Sequence, residues 1–168
     1  MIKGYTKNNI GLCCEFINLS KMQMPLNEFK TQLLIAGNNI ENNLYKTPFT
    51  IKYMNSEVKK YLLTLFNNKK LVKKIGRDFI INLWKKQGGR CAITFNIMTG
   101  IKNETIKKRC ATNVSIDKID PKLGYTKNNI QLTCLWANTG KLCMSTDEYR
   151  KLLLDAYNSM LTPPTFNE

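Results

Sequence analysis

The spacing of apolar residues changes character along the chain. Leu26, Phe29, Leu33 and Leu34 recur at helical intervals and predict a short amphipathic helix from Pro25 to Ala36, with Gly37 as its stop. Residues 38–55 are rich in Asn and Thr and contain Pro48, the composition of a linker. Val58, Leu62, Leu65 and Phe66 predict a second helix with Ser56 as N-cap, and a break is expected near Asn67-Asn68. Helical spacing resumes through Leu71, Ile75, Phe79, Leu83 and Trp84 and ends at Gly88-Gly89. The period then shortens. Arg90 to Phe95, Asn113 to Asp117 and Ile130 to Leu132 read as short extended pieces around a polar, basic loop from Asn96 to Arg109. Leu135 to Gly140 predicts a helical turn or more. Ser145-Thr146-Asp147-Glu148 has the form of a capping box ahead of Tyr149, Leu152, Leu153, Ala156 and Tyr157. Thr162-Pro163-Pro164 closes the pattern. These elements describe an α+β chain, mostly helical, with one small β-hairpin.

One phrase occurs twice. Gly4-Tyr5-Thr6-Lys7-Asn8-Asn9-Ile10 returns letter for letter as Gly124-Tyr125-Thr126-Lys127-Asn128-Asn129-Ile130. The match continues without a gap, 120 positions on, through Leu12, Cys14, Asn18, Lys21, Met24, Glu28, Leu33 and Leu34. The second copy is preceded by Ser115-Ile116-Asp117-Lys118-Ile119-Asp120, for which the first copy has no counterpart. The expected organisation is a partial repeat at 1–37, a linker at 38–55, a complete unit at 56–160 and a tail at 161–168. Three explanations of the partial repeat stay open. They are truncation after duplication, membership of a longer or split protein, and an arm that packs on the complete unit. Residues 1–37 are also a candidate surface for a protein partner or self-association.

Composition narrows the class. At 43% apolar residues the chain can bury a core. No stretch has the length of a membrane span, and no signal-peptide h-region precedes the first copy. The six cysteines do not form a dense disulfide framework, which fits reduced thiols and an intracellular setting, cytoplasm or nucleus, or a virion. The 26 Lys and Arg outnumber 12 Asp and Glu, a formal charge of +14, and point to a polyanion partner, foremost DNA. Between Glu57 and Arg90 the basic residues include Lys59, Lys60, Lys69, Lys70, Lys73, Lys74, Arg77, Lys85 and Lys86, opposed only by Glu57 and Asp78. The chain holds no histidine, the usual general base near neutral pH.

The stretch from Gln87 to Lys141 resembles the HNH, or ββα-metal, endonuclease family. The resemblance is carried by Gln87-Gly88-Gly89-Arg90-Cys91-Ala92-Ile93-Thr94, by Ser115 to Asp120, by Gly124 to Leu132, by Cys134 and by Asn138-Thr139-Gly140-Lys141. It is similar above all to a phage and large-DNA-virus branch with an Asp-Arg-Ile-Asp motif followed by Gly-Tyr-Thr and Asn. The resemblance implies a β-hairpin packed on a helix with one Mg²⁺ or Mn²⁺ ion between them. It makes Asp117 and Asn138 metal ligands, sets Asn129 to position the loop and the catalytic base, and turns Lys141 toward a phosphate. Lys127 joins the candidate nucleic-acid contacts. Asp120 stays open between a third metal ligand and a turn residue ahead of Pro121.

Lys118 stands where the family has its catalytic histidine. A lysine of ordinary pKa is protonated at neutral pH and accepts no proton. A metal-bound hydroxide, or Asp120 acting as base, would have to replace it, or the Lys118 cation would clamp the phosphate instead. Classical members also hold a structural zinc with two Cys-x-x-Cys knuckles. Here Cys91 and Cys134 match the first cysteines, while Thr94 and Ala137 occupy the second positions. With no trusted zinc spacing from Cys110 or Cys143, these cysteines, and Cys13-Cys14, are expected to be buried thiols. Trp84 and Tyr149 are expected in the core, and Tyr125 either braces its loop or touches a sugar or base. The reading is a metal-dependent DNA endonuclease of HNH-like type. The alternative is a catalytically inactive relative that binds DNA or serves as a structural or packaging component.

Overall fold

The computed structural model describes residues 13–67, 75–101 and 110–162. Helices α1 (Glu15–Lys21) and α2 (Leu26–Glu41) lead through a 3₁₀ turn (Leu44–Lys46) to α3 (Ser56–Asn67) and α4 (Arg77–Lys86). Strands β1 (Val114–Lys118) and β2 (Ile130–Cys134) follow, then α5 (Leu135–Lys141) and α6 (Thr146–Leu161). The class is α+β, and the described sheet has two antiparallel strands.

The two copies of the repeat adopt one conformation. α1 and α5 occupy corresponding residues, as do α2 and α6. The junction between helices repeats as well: Met22 sits at φ 51°, ψ −123° and Leu142 at φ 50°, ψ −120°. Both are left-handed residues with a Cβ, a costly backbone that the surrounding helices must hold in place.

The copies pack like against like, α1 on α5 and α2 on α6. Phe16 meets Tyr149 edge-on at 6.3 Å, and Phe29 meets Trp136 edge-on at 6.1 Å. Phe16 corresponds to Trp136 and Phe29 to Tyr149, so this is one contact made twice with the partners exchanged. That reciprocity defines a pseudo-two-fold axis, as in an isologous dimer. On the axis a residue faces its own counterpart. Gly140 faces Ser20, and a Cβ on Gly140 would lie 1.8 Å from Ser20 Oγ. Gly37 faces Tyr157, and a Cβ there would lie 2.1 Å from Tyr157 Cγ. Each axial contact therefore needs one glycine.

Gly37 does not stop α2. The helix runs on to Glu41 because Ala36, Asn39 and Ile40 are buried, while Gly37 supplies the flat spot that receives Tyr157. The first part of the expected linker is thus helical core. Of the three explanations for the partial repeat, the packed arm describes where its described residues lie. At α3 the cap is Asn55 rather than Ser56, since Asn55 Oδ1 accepts the Glu57 amide at 2.7 Å. The capping box of α6 forms as the sequence predicts, with Ser145 and Glu148 bonded reciprocally.

Arg90 to Phe95 is a turn and not a strand. Phe95 N–H donates to the Cys91 carbonyl, Cys91 N–H to the Asn96 carbonyl, and Phe95 lies at φ 59°. Gly88 and Gly89, at φ 61° and 71°, let the chain fold back from α4 into this turn. Gln87 then fixes it to the sheet edge. Its side-chain amide donates to the Leu132 carbonyl at 2.8 Å and accepts the Leu132 amide at 2.9 Å. β2 runs straight into α5, which packs back on both strands. Ile93, Leu132, Trp136, Tyr149 and Leu153 are fully buried in the shared core. Each contributes roughly 1.5–3 kcal/mol of burial.

Candidate functional site

Strand alternation divides the hairpin into two faces. Val114, Ile116, Lys118, Ile130 and Leu132 point one way; Ser115, Asp117, Gln131 and Thr133 point the other. Register pairs Ser115 with Thr133 and Asp117 with Gln131, so a column of polar residues lies under α5. Thr133 is fully buried there, and its hydroxyl has no hydrogen-bond partner among the described residues.

Asp117 is the centre of this column and only 5% exposed. Its Oδ2 accepts from Gln131 Nε2 at 2.8 Å, and its Oδ1 lies 3.4 Å from Lys141 Nζ. Burial pushes the carboxyl above the ordinary aspartate range, against the Gln131 hydrogen bond and the Lys141 charge. Lys141 arrives from the last turn of α5 and is 1% exposed; its ammonium also donates to the Lys118 carbonyl at 2.9 Å. This placement corrects the expectation of a phosphate-facing lysine, because the hairpin covers the side chain. Asn138, one helical turn earlier, donates through Nδ2 to Ser115 Oγ at 2.8 Å and to the Ile116 carbonyl at 3.3 Å. Asp117, Asn138 and Lys141 therefore meet at one interface of hairpin and helix.

Lys118 belongs to the other face. Its ammonium donates to the Pro121 carbonyl and lies 5.8 Å from the Tyr125 ring. It braces the β1–β2 loop and does not face the Asp117 column. Tyr125, packed against the core, shares that bracing role. Asn129 closes the same loop. Its Oδ1 accepts the Asp120 amide at 2.9 Å, and its Nδ2 donates to the Asp120 carbonyl at 3.0 Å and the Gly124 carbonyl at 2.9 Å. Asp120 itself caps a turn, its Oδ1 accepting the Lys122 amide at 2.9 Å.

Gln131, Ser115 and Thr146 were not singled out from sequence. Gln131 Nε2 reaches Thr146 Oγ1 at 2.9 Å as well as Asp117, tying the hairpin to the start of α6. Comparing the copies would have found it, since Gln131 stands where the first copy has Gly11.

Cys91 and Cys134 are fully buried, and the Thr94 amide donates to Cys91 Sγ at 3.5 Å. Burial pushes the Cys91 thiol up, but hydrogen bonds from Cys134 and Thr94 outweigh it and bring the thiol down to about 6. The hydrogen bond to Cys91, then burial, raises Cys134. Cys13, Cys14 and Cys143 are exposed, and Cys110 is half-buried, which corrects the expectation of buried thiols at those positions. No group of three or more Cys, Asp or Glu among the described residues converges as a metal site.

Of the basic residues between Glu57 and Arg90, Lys59, Lys60, Arg77 and Lys86 are exposed and Lys85 is half-buried; Lys69, Lys70, Lys73 and Lys74 lie outside the described residues. Lys127 is exposed on the β1–β2 loop, its ammonium 5.7 Å from the ring of Phe79 on α4. The loop of the hairpin thus lies beside α4. Lys59, Lys60, Lys85, Lys86 and Lys127 have no acidic partner among the described residues.

Comparison with protein-family models, with curated proteins and with solved structures finds no match for this chain. Among the described residues, no helix is long and apolar enough to cross a membrane.

Proposed function

We propose that this chain is a DNA-binding protein built on an HNH-like hairpin–helix scaffold. The observation that carries the reading is the set of lysines on α3, α4 and the β1–β2 loop that have no acidic partner among the described residues, in a chain of formal charge +14. Such a surface binds the phosphate backbone with little regard to base sequence. The hairpin–helix site does not favour hydrolysis. Both Asp117 oxygens have protein partners, and the ammonium of Lys141 supplies the positive charge beside them. Lys118, in the position of the catalytic base, bonds to the loop on the opposite face.

Metal-dependent cleavage is the second reading, favoured by the meeting of Asp117 and Asn138. These offer a carboxylate and an amide oxygen to a hard cation such as Mg²⁺ or Mn²⁺. Bound there, the ion would neutralise charge on a scissile phosphate. The donor set fits such an ion only if the Lys141 ammonium gives way.

Gel shift and supercoiled-plasmid nicking with Mg²⁺, Mn²⁺ and EDTA decide between the two. The first reading expects a salt-sensitive shift and no nicking with any ion. Nicking that needs metal and is lost in Asp117→Asn would establish the second. Absence of a shift at low salt would remove both.

A further inference from the structure

The two-fold relation between the copies sets a seated turn against an open groove among the described residues. In the complete unit the turn at Arg90–Ile97 lies on a surface shared by the two copies. Arg150 on α6 donates to the Ile93 carbonyl at 3.0 Å and the Ala92 carbonyl at 2.6 Å. Asn39 on α2 donates to the Thr94 carbonyl at 2.9 Å, and the Gln32 carbonyl accepts from Asn96 Nδ2 at 3.1 Å. Ile93 is fully buried in this seat.

The same surface exists a second time. Moved to their counterparts, Arg150, Asn39 and Gln32 become Lys30, Ser159 and Leu152. All three line an apolar groove of about 510 Å³ between α1, α2 and α6. Its floor is Phe29 and Leu33, the counterparts of Tyr149 and Leu153. Cys14 at its edge is exposed, whereas its counterpart Cys134 is fully buried beneath the turn.

We infer that this groove is the docking site for an apolar turn of the Arg90–Ile97 kind, presented by a separate polypeptide. The chemistry of the seat survives in reduced form. An isoleucine-sized side chain would cover Phe29 and Leu33, Lys30 would receive backbone carbonyls as Arg150 does, and Ser159 would replace Asn39. Among the described residues there is one such turn, and it is engaged in its own seat. The inference stands whether or not the chain cuts DNA.

The test is a titration of the full chain with a fluorescent, head-to-tail cyclised peptide of residues 88–100, followed by anisotropy. Covalent attachment makes the native turn effectively concentrated, so the free peptide should bind more weakly, with a Kd tighter than about 1 mM. Lys30→Glu removes the carbonyl donor at an exposed position and should weaken binding at least about tenfold. Ala156→Trp fills the groove and should weaken it comparably. Melting curves of both variants establish that they remain folded. Saturable binding lost in both supports the site. No binding, or binding indifferent to both variants, overturns it. A concentration-dependent dimer in sedimentation that both variants dissolve would make a second copy of this chain the occupant, and would overturn the separate partner.

Discussion

The helix pair α1–α2 and the helix pair α5–α6 have nearly the same backbone and different surroundings. Lys21 and Lys141 are the same residue at the same position. Lys21 is half-buried, while Lys141 lies under a hairpin and faces a buried carboxylate. Cys14 is exposed and Cys134 buried. α2 begins after Pro25 with no side-chain cap, whereas α6 begins with a complete capping box. Helix spacing and the left-handed junction are therefore local properties that a short sequence carries with it. Burial, and with it the electrostatics of the site, comes from what covers the helices.

Breaking the axis should have the largest effect. Gly37→Val drives a side chain into Tyr157 and should cost about 4 kcal/mol or more, read by urea denaturation. Adding Tyr157→Gly should recover part of it, and an unchanged loss in the double variant would mean the axial contact is not the cause. The two lysines come next. Lys141→Met leaves Asp117 buried without its cation and should cost about 3 kcal/mol, while Lys21→Met should stay within about 0.5 kcal/mol. Equal costs would erase the distinction drawn between covered and uncovered copies.

The caps give a smaller contrast. Ser145→Ala should lose about 1 kcal/mol, and Pro25→Ser, which sets a serine three residues before Glu28, should gain a few tenths. The finest probe is pH. Because Asp117 is raised in the folded state, the stability it contributes is fully present below the ordinary aspartate pKa and declines as pH rises through the raised value. The difference in unfolding free energy between wild type and Asp117→Asn should therefore slope downward with pH across that window. A flat difference would mean that Gln131 and Lys141 fully offset burial.

The sequence revealed the elements better than their endings. Period and capping residues placed α3, α5 and α6 closely, because these signals act within a few residues. Gly37 misled because a glycine that ends a helix and one that admits a neighbour look alike until the neighbour is known. Arg90 to Phe95 misled for a related reason. Its β-like residues are buried by the seat on α2 and α6, so their apolar character reports burial and not a ladder. At the candidate site, Asp117, Asn129 and Asn138 were singled out through the resemblance; Asp117 and Asn138 lie at one hairpin–helix interface, and Asn129 makes three hydrogen bonds within the loop, to Asp120 and Gly124. The burial of Lys141 was not legible, since a lysine's ordinary place is the surface and only the hairpin's position overrides it.

The glycines on the axis have a further consequence. Two identical helix pairs of either kind would meet glycine on glycine at one axial position or tyrosine on tyrosine at another, leaving a hole or a collision. Only unlike halves fit, knob into hole. Each half has therefore become an obligate mate of the other. With Gly37 against Tyr157 and Ser20 against Gly140, two copies of either half could pair in this way only after several substitutions made together.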